Sequence, residues 1–203
     1  MSHEHGLRPR TSTRALALVF AGLASSSCAG GERATFWRDS RQRLIVAGPM
    51  LGPAADLETL TPQLCARIRE LPGATAGNRV GGQEYCGAIY QRPGNTHFFA
   101  SYPSTLSPPV ELPGGRKACF PPEAVSDAEA GEVRIHADYH SHPAITRFSP
   151  EDLQARRQRF YFRAMFNPLC EVYLYDFQNR TVYQLTHGEF TPLKKVADDF
   201  LGE

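Results

Sequence analysis

The chain has 203 residues, enough for one domain with its own apolar core. Lys and Arg number 22 against 21 Asp and Glu, a formal net charge of +1, so no surplus of positive charge is available to hold a nucleic acid. The hydrophobic share is 41%, ordinary for a globular protein, and no apolar run is long enough for a permanent membrane-spanning helix.

Residues 1–28 read as an export signal. Arg8, Arg10 and Arg14 precede the apolar run Ala15 to Ala24, and Ser25, Ser26 and Ser27 lead to Cys28. A basic start, a short apolar core and a small-residue exit are the parts of such a signal. Ser27-Cys28-Ala29-Gly30-Gly31 resembles the lipobox of bacterial lipoproteins, with Ser25 where that box carries an aliphatic residue. The resemblance implies a lipid on Cys28. Ala29 rather than Asp follows it, which implies sorting to the outer membrane. The expected location is exported, periplasmic and outer-membrane anchored, with membrane contact only through that lipid. Plain cleavage without lipid is the alternative.

Residues 29–57, rich in Gly, Ala and Pro, read as a tether and lead-in with one strand at Arg43–Ala47. The domain proper is expected over 58–203. Leu60, Leu64 and Ile68 recur at helical spacing, which predicts a helix over Thr59–Glu70 started by Thr61-Pro62 and stopped by Leu71-Pro72-Gly73. Tyr85–Gln91 and His97–Tyr102 read as strands. The Pro- and Gly-rich stretch from Pro103 to Gly131 reads as a long surface excursion.

Val133, Ile135, Ala137 and Tyr139 alternate with Arg134, His136 and Asp138, which predicts a strand with His136 on the face of His140. Pro143 ends it. Ser149-Pro150-Glu151-Asp152 opens a helix expected to reach Phe166: a capping hydroxyl, a proline in the first turn, acids behind it. Arg156, Arg157, Arg159 and Arg163 then form a solvated basic flank. Glu171–Phe177 and Thr181–Leu185 predict a hairpin around Gln178-Asn179-Arg180, and Thr191–Leu201 a closing helix. Beyond Cys28, the chain has Cys65, Cys86, Cys119 and Cys170. They form either two disulfides or buried free thiols, and their spacing excludes a Cys-x-x-Cys zinc knuckle.

The informative constellation is His140-Ser141-His142-Pro143 followed by Asp152. Two imidazoles and a carboxylate are three good zinc ligands that leave a fourth position for water. A hydrolase built on them needs a base. Glu84 is the candidate: it starts the apolar strand Tyr85-Cys86-Gly87-Ala88-Ile89-Tyr90, where Gly87 permits a close backbone approach.

Glu84-Tyr85-Cys86-Gly87, His140-Ser141-His142-Pro143 and Ser149-Pro150-Glu151-Asp152 together resemble the pattern of the JAMM (JAB/MPN-type) zinc metallopeptidases over roughly residues 58–186. The spacer from Pro143 to Phe148 is one residue shorter than the family pattern. The resemblance implies an α+β fold: a mixed, largely antiparallel sheet flanked by helices in one JAB/MPN-like (cytidine-deaminase-like) domain. It implies Zn2+ on His140, His142 and Asp152, with Glu84 as general base and Ser149 holding the oxyanion. The implied reaction is hydrolysis of a peptide or isopeptide amide in a peptide or protein substrate. A cell-envelope peptide, a peptidoglycan cross-link and a periplasmic protein tail remain open as that substrate. The alternative is a non-catalytic envelope domain that uses the same fold to bind a partner. A module from polymorphic-toxin or phage-derived systems is a third.

Overall fold

The computed structural model describes residues 34–77, 81–104, 110–112, 116–131, 133–154 and 160–197. The export signal and Cys28 lie outside them, as do Arg156, Arg157 and Arg159. Described structure begins at residue 34, so the segment read as a tether is largely structured. Its strands are β1 (Phe36–Arg38), β2 (Leu44–Gly48) and β3 (Leu51–Ala54). The physical signal is Leu44-Ile45-Val46, a buried apolar run that ends in two β-branched residues. The Asp39 carboxylate closes the β1–β2 turn by accepting from the amides of Arg41 and Arg43, each at 2.9 Å.

Helix α1 (Leu57–Arg69) starts earlier than Thr61-Pro62 suggested, because Asp56 is its cap and accepts from the Thr59 amide at 2.7 Å. Pro62 lies inside the helix on its exposed side. Leu60, Leu64, Cys65 and Ile68 form the buried stripe, and each large apolar side chain so buried contributes roughly 1.5–3 kcal/mol.

The remaining strands are β4 (Cys86–Gln91), β5 (Phe98–Ala100), β6 (Val110–Leu112), β7 (Arg116–Ala118), β8 (Ala124–Asp127), β9 (Arg134–Ser141), β10 (Phe162–Phe166), β11 (Val172–Asp176), β12 (Thr181–Thr186) and β13 (Glu189–Lys195). Among the described residues, eight of the strands form one sheet in the order β13-β12-β11-β10-β9-β4-β5-β3. Its pairings are antiparallel except β9–β10, which is parallel. β1, β2 and β8 form a second sheet, and β6 with β7 a small hairpin. The fold is therefore mixed α+β with a largely antiparallel sheet.

One face of the large sheet, with Ile89, Ala100, Ala137, Tyr139, Phe166 and Leu174, packs on the α1 stripe. The other face carries two separate clusters. Ala88, Tyr90 and Phe99 meet Val46 and Val125 of the small sheet, while Met165, Tyr173, Tyr175 and Val182 meet Leu153 and Phe148. Val125 shows that the stretch read as a surface excursion returns a strand to the core. Asp127, at the end of that strand, accepts from Tyr90 Oη and Arg92 Nε at 2.7 and 2.8 Å.

Parts of two expected helices are strands, and their residues 155–159 and 198–201 lie outside the described residues. Phe162–Phe166 is β10, with Ala164 and Phe166 on the α1 face and Met165 on the other. A short apolar run covered on both sides has no periodicity that separates strand from helix. Thr191 falls in β13, which pairs with β12 after a tight turn where His187 (φ 53°) and Gly188 (φ 86°) both have positive φ. Two successive positive φ values mark the hairpin turn that matches strand twist.

β9 departs from strict alternation. Ile89 pairs with Ala137 and Tyr90 with Ile135, so His136 is an extra residue on its strand. This bulge reverses the parity: Val133 and Ile135 join the small-sheet cluster, while Ala137 and Tyr139 go under α1. His136 is thereby taken out of the row of His140. Its ring packs against Phe98 and Tyr161, and burial with the nearby Arg134 charge lowers its pKa.

The structure pairs Cys65 with Cys170 and Cys86 with Cys119, Cα atoms 5.7 and 5.5 Å apart. The first bridge ties α1 to the turn between β10 and β11 across 105 residues. A loop near that length carries about 4.7 kcal/mol in the chain-entropy account and commonly 2–4 kcal/mol in practice. Replacing Cys65 and Cys170 together with Ser is expected to lower denaturant stability by about that amount. Equal midpoints and slopes for the two proteins would contradict the pairing.

Candidate metal centre

The site rests on the pairing of β4 with β9. Cys86 stands opposite His140 and Ala88 opposite Asp138. Ser141, between the two histidines, clamps the strand start that carries Glu84. Its hydroxyl accepts from the Tyr85 amide at 3.1 Å, and its own amide donates to the Tyr85 carbonyl at 3.0 Å. The His142 amide donates to the Phe166 carbonyl at 2.9 Å and so extends the β9–β10 pairing past the end of the strand. Pro143 then turns the chain.

Helix α2 (Pro150–Leu153) is a single turn. Ser149 caps it: its hydroxyl accepts from the Asp152 amide at 3.2 Å, while Asp152 Oδ2 accepts from the Ser149 amide at 2.7 Å. Leu153 buries the apolar side. The helix expected to continue to Phe166 stops here, with Gln154 already extended.

Three ligand-type side chains converge. His140 Nε2 and His142 Nε2 are 3.1 Å apart. Asp152 Oδ1 is 3.3 Å from the first and Oδ2 is 3.4 Å from the second. Two donors held on one tetrahedral ion at about 2.0–2.1 Å lie about 3.3 Å from each other, so these separations suit one shared ion. With one donor atom taken per residue, the set spans up to 4.8 Å, wider than the roughly 4 Å the ligand pattern predicts. The carboxylate straddles the imidazoles, with Oδ1 toward His140 and Oδ2 toward His142. His140, His142 and Asp152 can thus hold a metal ion. Asp152 serves the capping box with Oδ2 and keeps Oδ1 outside it, because a carboxylate has about four lone-pair directions.

The donor chemistry agrees. Thr146 Oγ1 lies 2.7 Å from His142 Nδ1 and donates to the Ala144 carbonyl at 3.4 Å. With Nδ1–H donating to this hydroxyl, the Nε2 lone pair faces the cluster, as a ligand histidine requires. Burial alone would raise the Asp152 carboxyl, but the two imidazoles override it and hold the group well below the usual carboxylate range. For His140 burial is the largest influence and pushes the pKa down. The Asp152 charge, helped by Glu84, outweighs it, and the net shift is upward.

A cleft of about 680 Å³ opens over the cluster, and Glu84, Ser149 and Arg163 line it with His140, His142 and Asp152. Cys86, Cys119, Phe120 and Pro121 contribute to one wall, so the Cys86–Cys119 bridge borders the site. All five residues singled out for metal and catalysis thus reach one cleft. His136 is not among those lining it.

Arg163 is not part of a solvated flank. It stands opposite Asp138 across β9–β10 and its side chain is 13% exposed. Burial disfavours its charged form, and the Asp138 carboxylate restores it. Asp138 orients this arginine and not a histidine. An arginine alone in the apolar run Phe162–Phe166 was the available sequence signal. Ser141 and Thr146 offered none, since their roles depend on partners brought in by folding.

No protein-family model matches the chain, and no curated protein matches it.

Proposed function

We propose that this protein is an exported zinc metallopeptidase of the JAMM type that hydrolyses a peptide or isopeptide amide in the bacterial cell envelope. The observation that carries the reading is the cluster of His140, His142 and Asp152 donor atoms, within 4.8 Å of one another, in one cleft with Glu84 and Ser149. The order also fits a JAB/MPN-like domain. The base lies two residues before β4, the histidine pair brackets the last residue of the neighbouring β9, and the carboxylate lies in the first turn of the next helix. The expected zinc preference follows from two imidazoles and one carboxylate with a position left open. Export, the lipid on Cys28 and outer-membrane anchoring are proposed from the N-terminal sequence pattern.

Zinc bound there would supply Lewis acidity, polarising the scissile carbonyl and bringing the pKa of a water at its open position to about 7. Glu84 takes the proton of the attacking water and delivers it to the leaving amine. The Ser149 hydroxyl accepts from the Asp152 amide, so its own hydrogen is available to donate to the oxyanion. The cleft holds the substrate chain across these groups. The hydrogen bond from the Ser149 amide to Asp152 Oδ2 favours a second reading, a non-catalytic domain in which Asp152 serves only its helix.

Metal content separates the two. The mature domain is expected to retain about one zinc per chain, and His142→Ala and Asp152→Ala to lose it. Zinc at a hundred times its dissociation constant should stabilise the folded state by about 2.7 kcal/mol, roughly 5–10 °C in Tm for a domain of this size. A zinc-supplemented wild type with no bound metal and no Tm shift overturns the metallopeptidase reading.

A further inference from the structure

The single-turn helix that carries Asp152 is too short to hold its own position, since a lone helical turn is unfavourable before it propagates. Among the described residues its end has one backbone bond, from the Gln154 amide to the Glu151 carbonyl at 3.3 Å. The Asp152 carbonyl would be met by the next turn in a longer helix. Here it accepts from Arg163 Nη1 at 2.6 Å. The same guanidinium grips Asp138 through Nε, at 3.1 Å from each carboxylate oxygen, and through Nη2 at 2.7 Å from Oδ2. The Asp138 side chain is 1% exposed and stands two residues before His140 on the same strand. A continuous path thus runs from the strand bearing His140 through Asp138 and Arg163 to the backbone of Asp152. The capping box fixes the start of the turn and Leu153 packs its underside against Met165 of β10, while Arg163 supplies the hydrogen-bonded tie from the Asp152 carbonyl to Asp138 of β9.

We infer that Arg163, aligned by Asp138, is a positioning residue for the metal centre: it sets the distance between the Asp152 carboxylate and the histidine pair. This rests on the metallopeptidase reading above. A planar guanidinium suits the task because its fork can engage a carboxylate and a carbonyl together in fixed geometry, which an ammonium group does not. Groups that orient metal ligands typically control 10–100-fold in affinity.

The test uses the full mature domain with competition against a chromophoric zinc chelator, together with the visible spectrum of the cobalt(II) form. R163M is expected to weaken zinc binding about 10–100-fold and to alter the cobalt bands. R163K should recover only part of the affinity. D138N, close to isosteric, should weaken zinc less than R163M. R92M removes another largely buried arginine–aspartate pair, Arg92 with Asp127, and controls for stability. It should lower Tm while leaving zinc affinity and the cobalt spectrum unchanged. If R163M does not fold, D138N carries the test. Wild-type affinity and spectrum in R163M or in D138N overturn the inference while the metallopeptidase reading stands. A wild type that takes up no zinc overturns both.

Discussion

Glu84→Gln is expected to lower the turnover of amide hydrolysis by about 10²–10⁴-fold, the usual contribution of a positioned general base, while the protein keeps its zinc. Gln matches Glu in size and can still hydrogen-bond in the cleft, but it cannot take a proton from water. Glu84 precedes Tyr85, whose amide and carbonyl are both bound by Ser141, so the backbone at this position is held whichever side chain it bears. The ligands His140, His142 and Asp152 are untouched, so metal content and Tm should match wild type. The measurement pairs single-turnover kinetics on a peptide substrate with zinc content of the same sample. A zinc-loaded E84Q protein that cleaves at the wild-type rate removes Glu84 from the mechanism. Loss of zinc together with activity would make Glu84 a ligand or structural group instead.

Gly87→Ala is expected to be among the most damaging single substitutions in the chain, lowering stability by about 3 kcal/mol or more. A Cβ at this position would overlap the Tyr139 ring, which is fully buried and stacked near Phe166. The ring has little freedom to retreat, because its hydroxyl donates to the Ser101 carbonyl at 2.9 Å. Ser101 in turn accepts from the Ala88 amide at 3.0 Å, so displacing Tyr139 disturbs β4 on both sides of the glycine. The close approach expected at Gly87 is thus a side chain passing over it rather than a backbone. A double-mutant cycle tests this cause. Tyr139→Leu removes the overlapping atoms, so Gly87→Ala should cost about 1–3 kcal/mol less in that background. Additive losses in denaturant unfolding would place the damage elsewhere.

Both predictions concern positions that the sequence already marked. The Glu84 strand, the His-Ser-His strand and the Ser149–Asp152 helix start were legible because each has a local physical signature. A β-rich apolar run, a proline that stops pairing and a cap with acids behind it need no distant partner to be recognised. The β11–β12 hairpin was legible for the same reason, and Asp176 closes it by accepting from the amides of Gln178 and Asn179 at 2.8 and 3.0 Å. Before residue 58, the strand expected over Arg43–Ala47 is β2, whereas β3 carries Gly52 and Pro53, whose turn-forming character masks a short pairing segment.

What the sequence by itself determined is the set of chemical groups and their order along the chain: a base, two imidazoles, a hydroxyl and a carboxylate, each on a recognisable element. Tertiary structure decided which groups share a face and what holds them there. One extra residue in β9 moved His136 away from the site, because strand side chains alternate and a bulge reverses the count. Arg163 changed from a surface charge to a buried tie, because its partner Asp138 lies 25 residues away and meets it only when β9 and β10 pair. The same holds for Cys65 with Cys170, which only the packing of α1 on the sheet brings into bonding distance. Local pattern governs which element forms, and burial against distant partners governs what each side chain on it can do.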